Sequence, residues 1–365
     1  MSNEIIFLLA FILFIGIILA IDLGLFHKKN QKISLKQAGL MSVFMVVLAL
    51  AFYFILTKFG YLVHNIDSLE KLQTIINKHH HPIKIIGNDL EANLIRYNKN
   101  LGMEFLTGYV VEYALSVDNI FVIMLIFTSF KVDKTNYHPV LFWGILGAIL
   151  MRFLFIFIGA ALIAKFGWIL YIFGAFLVYT GVKMYLDRDK KEEIDIEHHP
   201  IVKFANKHFN IHHHFVGEKF FVIINGVKKM TPLFLVLIIV EFTDLIFAVD
   251  SIPAIFSVTH DPYIVFFSNI FAILGLRSMF FLLANVVDKL RFLKIGLAIL
   301  LVFIGIKMLA HHYLESMGFQ TIHSLIIIVL ILGFSIIASL IFPERNAKSR
   351  KLKPQSNEKK NFPRH

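Results

Sequence analysis

The sequence predicts an all-α polytopic membrane protein with about nine transmembrane helices. Of its 365 residues 57% are apolar and 17% are charged, and the mean hydropathy is +0.72. Apolar runs of about 18 or more residues are typical of transmembrane helices, because about 20 residues span a hydrocarbon core of about 30 Å. The alternating pattern of a β-barrel is absent. The expected spans are roughly residues 4–22, 38–57, 104–129, 140–164, 167–186, 231–257, 264–286, 295–310 and 321–342.

The loops between these spans predict the orientation of the chain. The first span carries Glu4 and follows no basic segment, so we expect a retained helix rather than a signal peptide. With the N-terminus outside, 25 Lys and Arg residues fall in inner loops and 7 in outer loops. This bias predicts an N-out, C-in topology. It also explains the net charge of +11 without nucleic acid as a partner.

The chain contains a repeat. EYALSVDNIFVI, from Glu112, resembles DLIFAVDSIPAI, from Asp244. Two later pairs of stretches also match, one around Arg152 and Arg277, the other GVKMYL and GIKMLA. Each copy contains three predicted helices, and an odd number of helices forces the two copies to be inverted. Inverted repeats with polar residues in matching helices are typical of secondary transporters, whose sites lie near the midplane.

The repeat divides the chain into six parts. The expected boundaries are 1–103 for two helices and an outer His-containing loop, 104–186 for the first repeat, 187–230 for a cytoplasmic basic and His-rich loop, 231–310 for the second repeat, 311–342 for the last helix and 343–365 for a basic cytoplasmic tail. The His tracts in both loops are consistent with metal binding. We expect them to be polar, solvated loops.

Five acids lie inside the predicted spans, and two arginines are their obvious partners. An ionised group at the midplane costs about 2.5–3.5 kcal/mol. About three negative charges remain uncompensated, which favours protonation or a bound cation. The candidate cation-site residues are Glu112, Asp118, Asn119, Glu241, Asp244 and Asp250, and the charge-pairing residues are Arg152 and Arg277. The competing interpretation is that these residues form structural ion pairs between helices.

The spacing of the polar residues limits their geometry. Glu112, Ser116 and Asn119 share one helical face, whereas Asp118 is about 240° from Glu112. Either the acids point at different neighbours, or the helices unwind near Asp118 and Asp250. Pro253 favours a local break in the second copy. Oxygen ligands suit Mn²⁺, Mg²⁺ or Ca²⁺, and a chain without cysteine offers no thiolate.

These residues resemble those of the TerC family of integral membrane proteins. The matching stretches include IDLGLFHKK, EYALSVDNIFV and TPLFLVLIIVEFTDLIFAVDSIPAIF, and the resemblance covers most of residues 20–342. It implies a nine-helix, multi-pass protein of the bacterial inner membrane, related to LysE-type exporters. Members of the family are linked to manganese export and tellurite resistance, and some relatives to membrane-protein insertion.

We therefore expect a secondary transporter that exports a divalent cation, most readily Mn²⁺, driven by protons or the membrane potential. The chain has no phosphate-binding loop. We expect no permanently bound cofactor and no enzymatic activity, because the G-x-G-D pattern of intramembrane aspartyl proteases is absent. The alternative is a TerC-type factor for tellurite resistance, or for assembly of partner membrane proteins, that transports no ion.

Overall fold

A computed structural model describes residues 3–26, 34–188, 202–203, 211–212, 214–224, 226–284 and 292–342. Most of them are helical, which confirms the all-α polytopic class. The predicted tail, 343–365, lies outside the described residues. The helices are α1 (Asn3–Phe26), α2 (Leu35–Phe59), α3 (Leu69–His79), α4 (Leu90–Ser129), α5 (Tyr137–Lys165), α6 (Ile169–Leu186), α7 (Pro232–Phe256), α8 (Pro262–Leu274), α9 (Leu276–Leu283), α10 (Leu293–Leu309), α11 (His311–Ser316) and α12 (Thr321–Ile341).

The loop before α7 contains an element that the sequence did not predict. Strands β1 (Phe221–Ile224) and β2 (Val227–Met230) form an antiparallel hairpin. Thr231 lies between the hairpin and α7. Its hydroxyl donates a hydrogen bond to the carbonyl of Lys219 at 2.7 Å, which holds the start of α7 against the residues before β1. Pro232 then occupies the first turn of α7, where its missing N–H breaks no helical hydrogen bond.

The described helices include six that are long and apolar enough to cross a membrane. The bent pair α8 and α9 makes a seventh if it forms one span. In α1 the apolar stretch is Ile5–Ile21, and α10 has 17 residues, so both are shorter than the six. Within the described residues, each predicted span coincides with one helix, except that 264–286 corresponds to the bent pair α8 and α9. The number nine and the orientation stay predictions.

Helix α4 begins earlier than predicted. It starts at Leu90 rather than near 104, and its 40 residues make it about 60 Å long, twice the hydrocarbon thickness. Asp89 caps it by accepting hydrogen bonds from the backbone N–H groups of Glu91 and Ala92. The prediction was wrong because polar residues in the first turns of α4 do not resemble a membrane span, although they continue the helix.

Residues 60–89, here the α2–α4 segment, fold against the first half of α4. The buried Asn98 accepts a hydrogen bond from the N–H of Tyr61 at 2.7 Å and donates to the carbonyl of Lys58 at 3.0 Å. Asn93 bonds both backbone groups of Ile86. The segment is therefore a packed part of the fold, not the solvated outer loop that we expected.

The interior and the lipid-facing exterior separate clearly. Every residue of α8 from Ile264 to Leu274 is buried, so α8 runs through the centre beside α4. Large apolar side chains are exposed on the peripheral helices, for example Leu13, Leu40, Leu150 and Phe334. An apolar exterior of this kind is expected of a protein solvated by lipid, and the chain is a multi-pass integral membrane protein.

Two helices from opposite halves of the chain make an unusually close pair. A Cβ at Gly305 of α10 would lie 2.6 Å from the carbonyl oxygen of Gly174 in α6. A Cβ at Gly181 would lie 2.7 Å from the carbonyl oxygen of Ala298. The earlier residue of α6, Gly174, contacts the later residue of α10, and Gly181 contacts the earlier one, so the two helices are antiparallel. Close backbone approach through small residues is a common way for membrane helices to associate.

The predicted break near Asp250 is absent, and a break occurs elsewhere. Helix α7 stays helical through Pro253 to Phe256. Pro253 lies in the last turn, so its missing N–H removes only one hydrogen bond near the end of the helix. The bend of 40° occurs instead at Gly275, between α8 and α9.

Candidate functional site

Arg152 is fully buried and is the centre of a polar cluster in which only Asp244 is partly exposed. Its guanidinium donates to Asp244 twice, from Nη2 to Oδ1 at 3.0 Å and from Nε to Oδ2 at 3.3 Å. Nη1 donates to Glu112 Oε1 and, at 3.1 Å, to Asn269 Oδ1. We call Arg152, Glu112, Asp244 and Asn269 the arginine cluster. It joins α4, α5, α7 and α8, and one arginine binds an acid from each predicted repeat.

The charges and polar atoms of the arginine cluster are not balanced. Arg152 brings one positive charge to two carboxyl groups, that of Glu112, which is buried, and that of Asp244, which is partly exposed. Glu112 Oε2, Asn269 Nδ2 and the nearby hydroxyl of Ser116 are buried and have no hydrogen-bond partner among the described residues. A buried polar atom without a partner costs free energy. The oxygens of Glu112 and Ser116 can therefore accept a proton or bind a cation, whereas Asn269 Nδ2 can only donate a hydrogen bond.

Glu241 lies on the same face of α7 as Asp244 and packs against α5. A Cβ at Gly147 would lie 2.0 Å from Glu241 Oε1, so a larger residue here would displace this carboxyl group. Gly144 similarly approaches Val240, at 3.4 Å from its virtual Cβ. Small residues of α5 therefore allow a close contact with α7.

The other predicted site residues lie further along α4 and α7. Asn119 is buried and Asp118 is half-buried, both within continuous helix, so the acids of α4 face different neighbours. Asp250 is half-buried and accepts a long hydrogen bond, 3.4 Å, from the hydroxyl of Thr180 in α6. Arg277, the second predicted pairing arginine, is buried on α9.

The structure does not bring the five acids together into one three-ligand group. Within the described residues, no three of them place their carboxylate oxygens within 4.8 Å of one another. It instead unites Glu112 with Asp244 through Arg152. Sequence analysis missed Asn269, because its counterpart in the first repeat is the apolar Ile145.

A second buried polar group lies in the α2–α4 segment, where we expected solvated histidines. His64 and Asp261 form a hydrogen bond, with 2.7 Å between Nε2 and Oδ2, and the ring of His79 lies 5.1 Å from that of His64. All three are buried, and we call them the His–Asp cluster. The solvation prediction was wrong for His79 and His81 of this tract, which are buried, whereas His80 between them is exposed.

The neighbours of the His–Asp cluster hold it in place. His81 Nδ1 lies 2.9 Å from Glu104 Oε1, and Thr259 donates to Glu104 Oε2 at 2.6 Å. Burial lowers the pKa of His79 to about 4. Burial also acts to lower the pKa of His81, but the charge and hydrogen bond of Glu104 outweigh it and raise this pKa. His79 is therefore neutral at neutral pH, which leaves a lone pair on its ring.

The chain is similar to known membrane proteins over most of its length. Residues 97–347 match the profile of the integral membrane protein TerC family. The chain is 42% identical over 332 residues to an uncharacterized membrane protein of Myxococcus xanthus, covering 91% of each chain. It is 39% identical over 327 residues to an uncharacterized membrane protein of Rickettsia felis, covering 90% of this chain and 95% of the relative.

A further relative is Alx of Escherichia coli strain K12, which its name describes as a candidate membrane-bound redox modulator. The identity is 54% over 207 residues, which is 57% of this chain and 64% of Alx. No solved structure matches. The family profile covers more than half of the chain and includes every residue of the arginine cluster, so this protein belongs to the TerC family.

Proposed function

We propose that this protein is a secondary transporter that exports a divalent metal cation, with Mn²⁺ as its cargo, across a bacterial inner membrane. The observation that carries the proposal is the arginine cluster, in which Arg152 joins Glu112 of one repeat to Asp244 of the other inside the membrane-spanning helices. The proposal assigns no enzymatic activity to the chain. The bacterial relatives support the choice of membrane.

The inverted repeat is part of this proposal, and reciprocal contacts support it. Gly181 matches Gly305 in sequence, and Gly174 matches Ala298, at a separation of 124 residues in both cases. Gly181 contacts Ala298 while Gly305 contacts Gly174. Exchange of equivalent partners between antiparallel helices is the pattern expected of a two-fold axis in the membrane plane.

The central helices show the same exchange of contacts between equivalent positions of the two repeats. Gly108 of α4 approaches Ser268 of α8, with 2.8 Å from its virtual Cβ to the hydroxyl, and Gly144 of α5 approaches Val240 of α7. Gly108 matches Val240 in the repeat, and Gly144 matches Ser268. Arg277 lies one residue later than this alignment predicts, and the additional residue falls at the bend between α8 and α9.

The proposed mechanism uses the arginine cluster as the ion-free state. Arg152 pairs with Glu112 and Asp244 while no cation is bound, and a cation that arrives at Asp118 and Asp250 displaces this pairing as the helices rearrange. Glu241 then supplies charge or exchanges a proton. The donors are carboxylate, amide and hydroxyl oxygens, which favour Mn²⁺, Mg²⁺ or Ca²⁺ over ions that prefer thiolates.

Ion flux into proteoliposomes tests this function. The purified chain would be reconstituted with a divalent-sensitive dye inside, and Mn²⁺, Mg²⁺, Ca²⁺ and Zn²⁺ would be added with and without a pH gradient. We expect Mn²⁺ flux that is abolished in Asp118→Asn and retained in Asp67→Asn, a matched change at an exposed residue. Normal flux in Asp118→Asn would contradict the site, and no flux of any cation from folded protein would contradict the function.

The alternative, a factor for tellurite resistance or assembly of partner membrane proteins, is favoured by one observation. The hairpin before α7 exposes apolar side chains outside the helices, with Phe221 41%, Val227 46% and Ile223 75% exposed. Exposed apolar residues of this kind can contact another protein. Partners that co-purify with the chain, and persist in Asp118→Asn while flux is absent, would support this alternative.

A further inference from the structure

We propose that His64, His79 and Asp261 bind a divalent transition-metal ion of the class that prefers imidazole ligands, with Zn²⁺ the best fit. One ligand atom from each residue lies within 4.8 Å of the other two. The three residues come from separate parts of the chain, namely the turn after α2, the end of α3 and the N-cap of α8. This site is separate from the arginine cluster, and the proposal does not depend on transport.

An unsatisfied nitrogen is the second observation that points to a ligand. His79 Nε2 is buried and has no hydrogen-bond partner among the described residues. A buried polar atom without a partner is costly, and nearly all such atoms in folded proteins are satisfied. A metal ion held between His79, His64 and Asp261 would satisfy it.

The donor set identifies the class of ion. Two imidazole nitrogens and one carboxylate, with a fourth position open to water, are a common Zn²⁺ arrangement. Bonds of about 2.0–2.1 Å place tetrahedral ligand atoms about 3.3 Å apart. The atoms of His64 and Asp261 are 2.7 Å apart, so a metal ion would replace the proton of their hydrogen bond and separate them slightly.

Surrounding groups position the ligands, as the groups around metal ligands usually do. The other carboxylate oxygen of Asp261 accepts the N–H of Tyr263 at 2.9 Å. His81 Nε2 lies 3.9 Å from Asp261 Oδ2, and its other nitrogen is held by Glu104. The side chain of Asp261 is thus fixed at the start of α8, and a bound ion would join this helix to the α2–α4 segment.

Metal binding by the full-length chain tests the proposal. The protein would carry an affinity tag without histidine, be treated with a chelator and be dialysed against Zn²⁺. Bound zinc would be counted by elemental analysis, and thermal unfolding would be followed with Zn²⁺ and with chelator. Histidines outside the cluster, such as His212 and His214, could also take up zinc, so the readout is the difference between variants.

The matched variants are His79→Asn and His80→Asn. His80 is the exposed neighbour of His79 and has φ of 52°, a left-handed conformation that asparagine tolerates. We expect His80→Asn to bind zinc like the wild type and His79→Asn to lose about one ion per chain. Zn²⁺ should raise the melting temperature more in the wild type and His80→Asn than in His79→Asn, because an ion that binds the folded chain stabilises it.

The second variant, Asp261→Asn, should also lose one ion. Melting in chelator shows whether each variant folds, so a loss of metal is counted only for folded protein. If His79→Asn does not fold, Asp261→Asn decides the result. Equal zinc content and equal stabilisation in the folded cluster variants and His80→Asn would overturn the proposal.

Discussion

The two buried polar clusters of this protein differ in how they compensate their acids. In the arginine cluster, a single permanent cation, Arg152, is shared by Glu112 and Asp244 between membrane-spanning helices. In the His–Asp cluster, Asp261 is paired with histidines, whose charge depends on a proton that a metal ion can replace. The two proposals assign two kinds of metal chemistry to one chain, an all-oxygen site for a transported ion and an imidazole site for a resident one.

The largest expected effect is the loss of stability on removal of the Arg152 charge, which only the arginine cluster contains. Arg152→Met should destabilise the protein by about 3–5 kcal/mol, because it leaves the buried Glu112 and the partly exposed Asp244 without their cation. The measurement is the melting temperature in detergent. The matched control adds Glu112→Gln and Asp244→Asn to the same chain and should recover most of the loss. An Arg152→Met protein as stable as the wild type would show that the arginine does not neutralise the cluster.

A smaller loss of stability is expected next to the His–Asp cluster, where Glu104 contacts His81. Glu104→Gln keeps the shape of the side chain but removes the charge that faces His81, and should cost about 1.5–3 kcal/mol. Asn100→Ala removes only one of the donors to Glu104 and should cost less. Denaturant unfolding of both variants provides the measurement. Equal losses would mean that the charge of Glu104 contributes nothing beyond its hydrogen bonds.

A steric change tests whether Glu241 needs its position against α5. Gly147→Ala should destabilise the protein by about 1–3 kcal/mol and lower Mn²⁺ flux, since the new methyl group displaces the carboxyl group. Gly159→Ala is the control in the same helix, because its Cβ would lie 3.4 Å from Phe256, an ordinary contact. Adding Glu241→Ala to Gly147→Ala should restore stability but not flux. Full flux in Gly147→Ala would indicate that Glu241 is not part of the pathway.

The smallest expected effect concerns Asp250. Thr180→Val removes a hydrogen bond of 3.4 Å, which at this length contributes about 0.5 kcal/mol, at the low end for such bonds. Stability should hardly change, whereas the Mn²⁺ concentration for half-maximal flux should change a few-fold if Asp250 binds the ion. Thr128→Val, whose hydroxyl bonds only to its own helix, is the control. Identical flux curves for the two variants would argue against a role for Asp250.

The helices and the acids of the arginine cluster could be predicted from the sequence. The full set of residues in the cluster could not. Apolar runs marked each predicted span, and the repeat identified Glu112, Asp244 and Arg152. Asn269 has an apolar counterpart and therefore no repeat signal. The same reasoning assigned the α2–α4 segment to solvent, because a polar stretch between spans resembles a loop.

The His–Asp cluster shows the limit most clearly. Its tract KHHHPIK was visible, but His64 and Asp261 are 197 residues apart and neither belongs to a motif. Only the packing of the α2–α4 segment against the start of α8 brings them together. Whether a histidine is solvated or buried depends on such tertiary contacts, which a local pattern does not contain.

The most direct test of the two-site account measures both metals on the same two variants. Mn²⁺ flux and retained Zn²⁺ would be determined for Asp118→Asn and His79→Asn, with the wild type as reference. The account predicts that Asp118→Asn loses flux and keeps its zinc, and that His79→Asn loses one zinc ion and keeps flux. Loss of both properties in either folded variant, or of neither property in both, would contradict it.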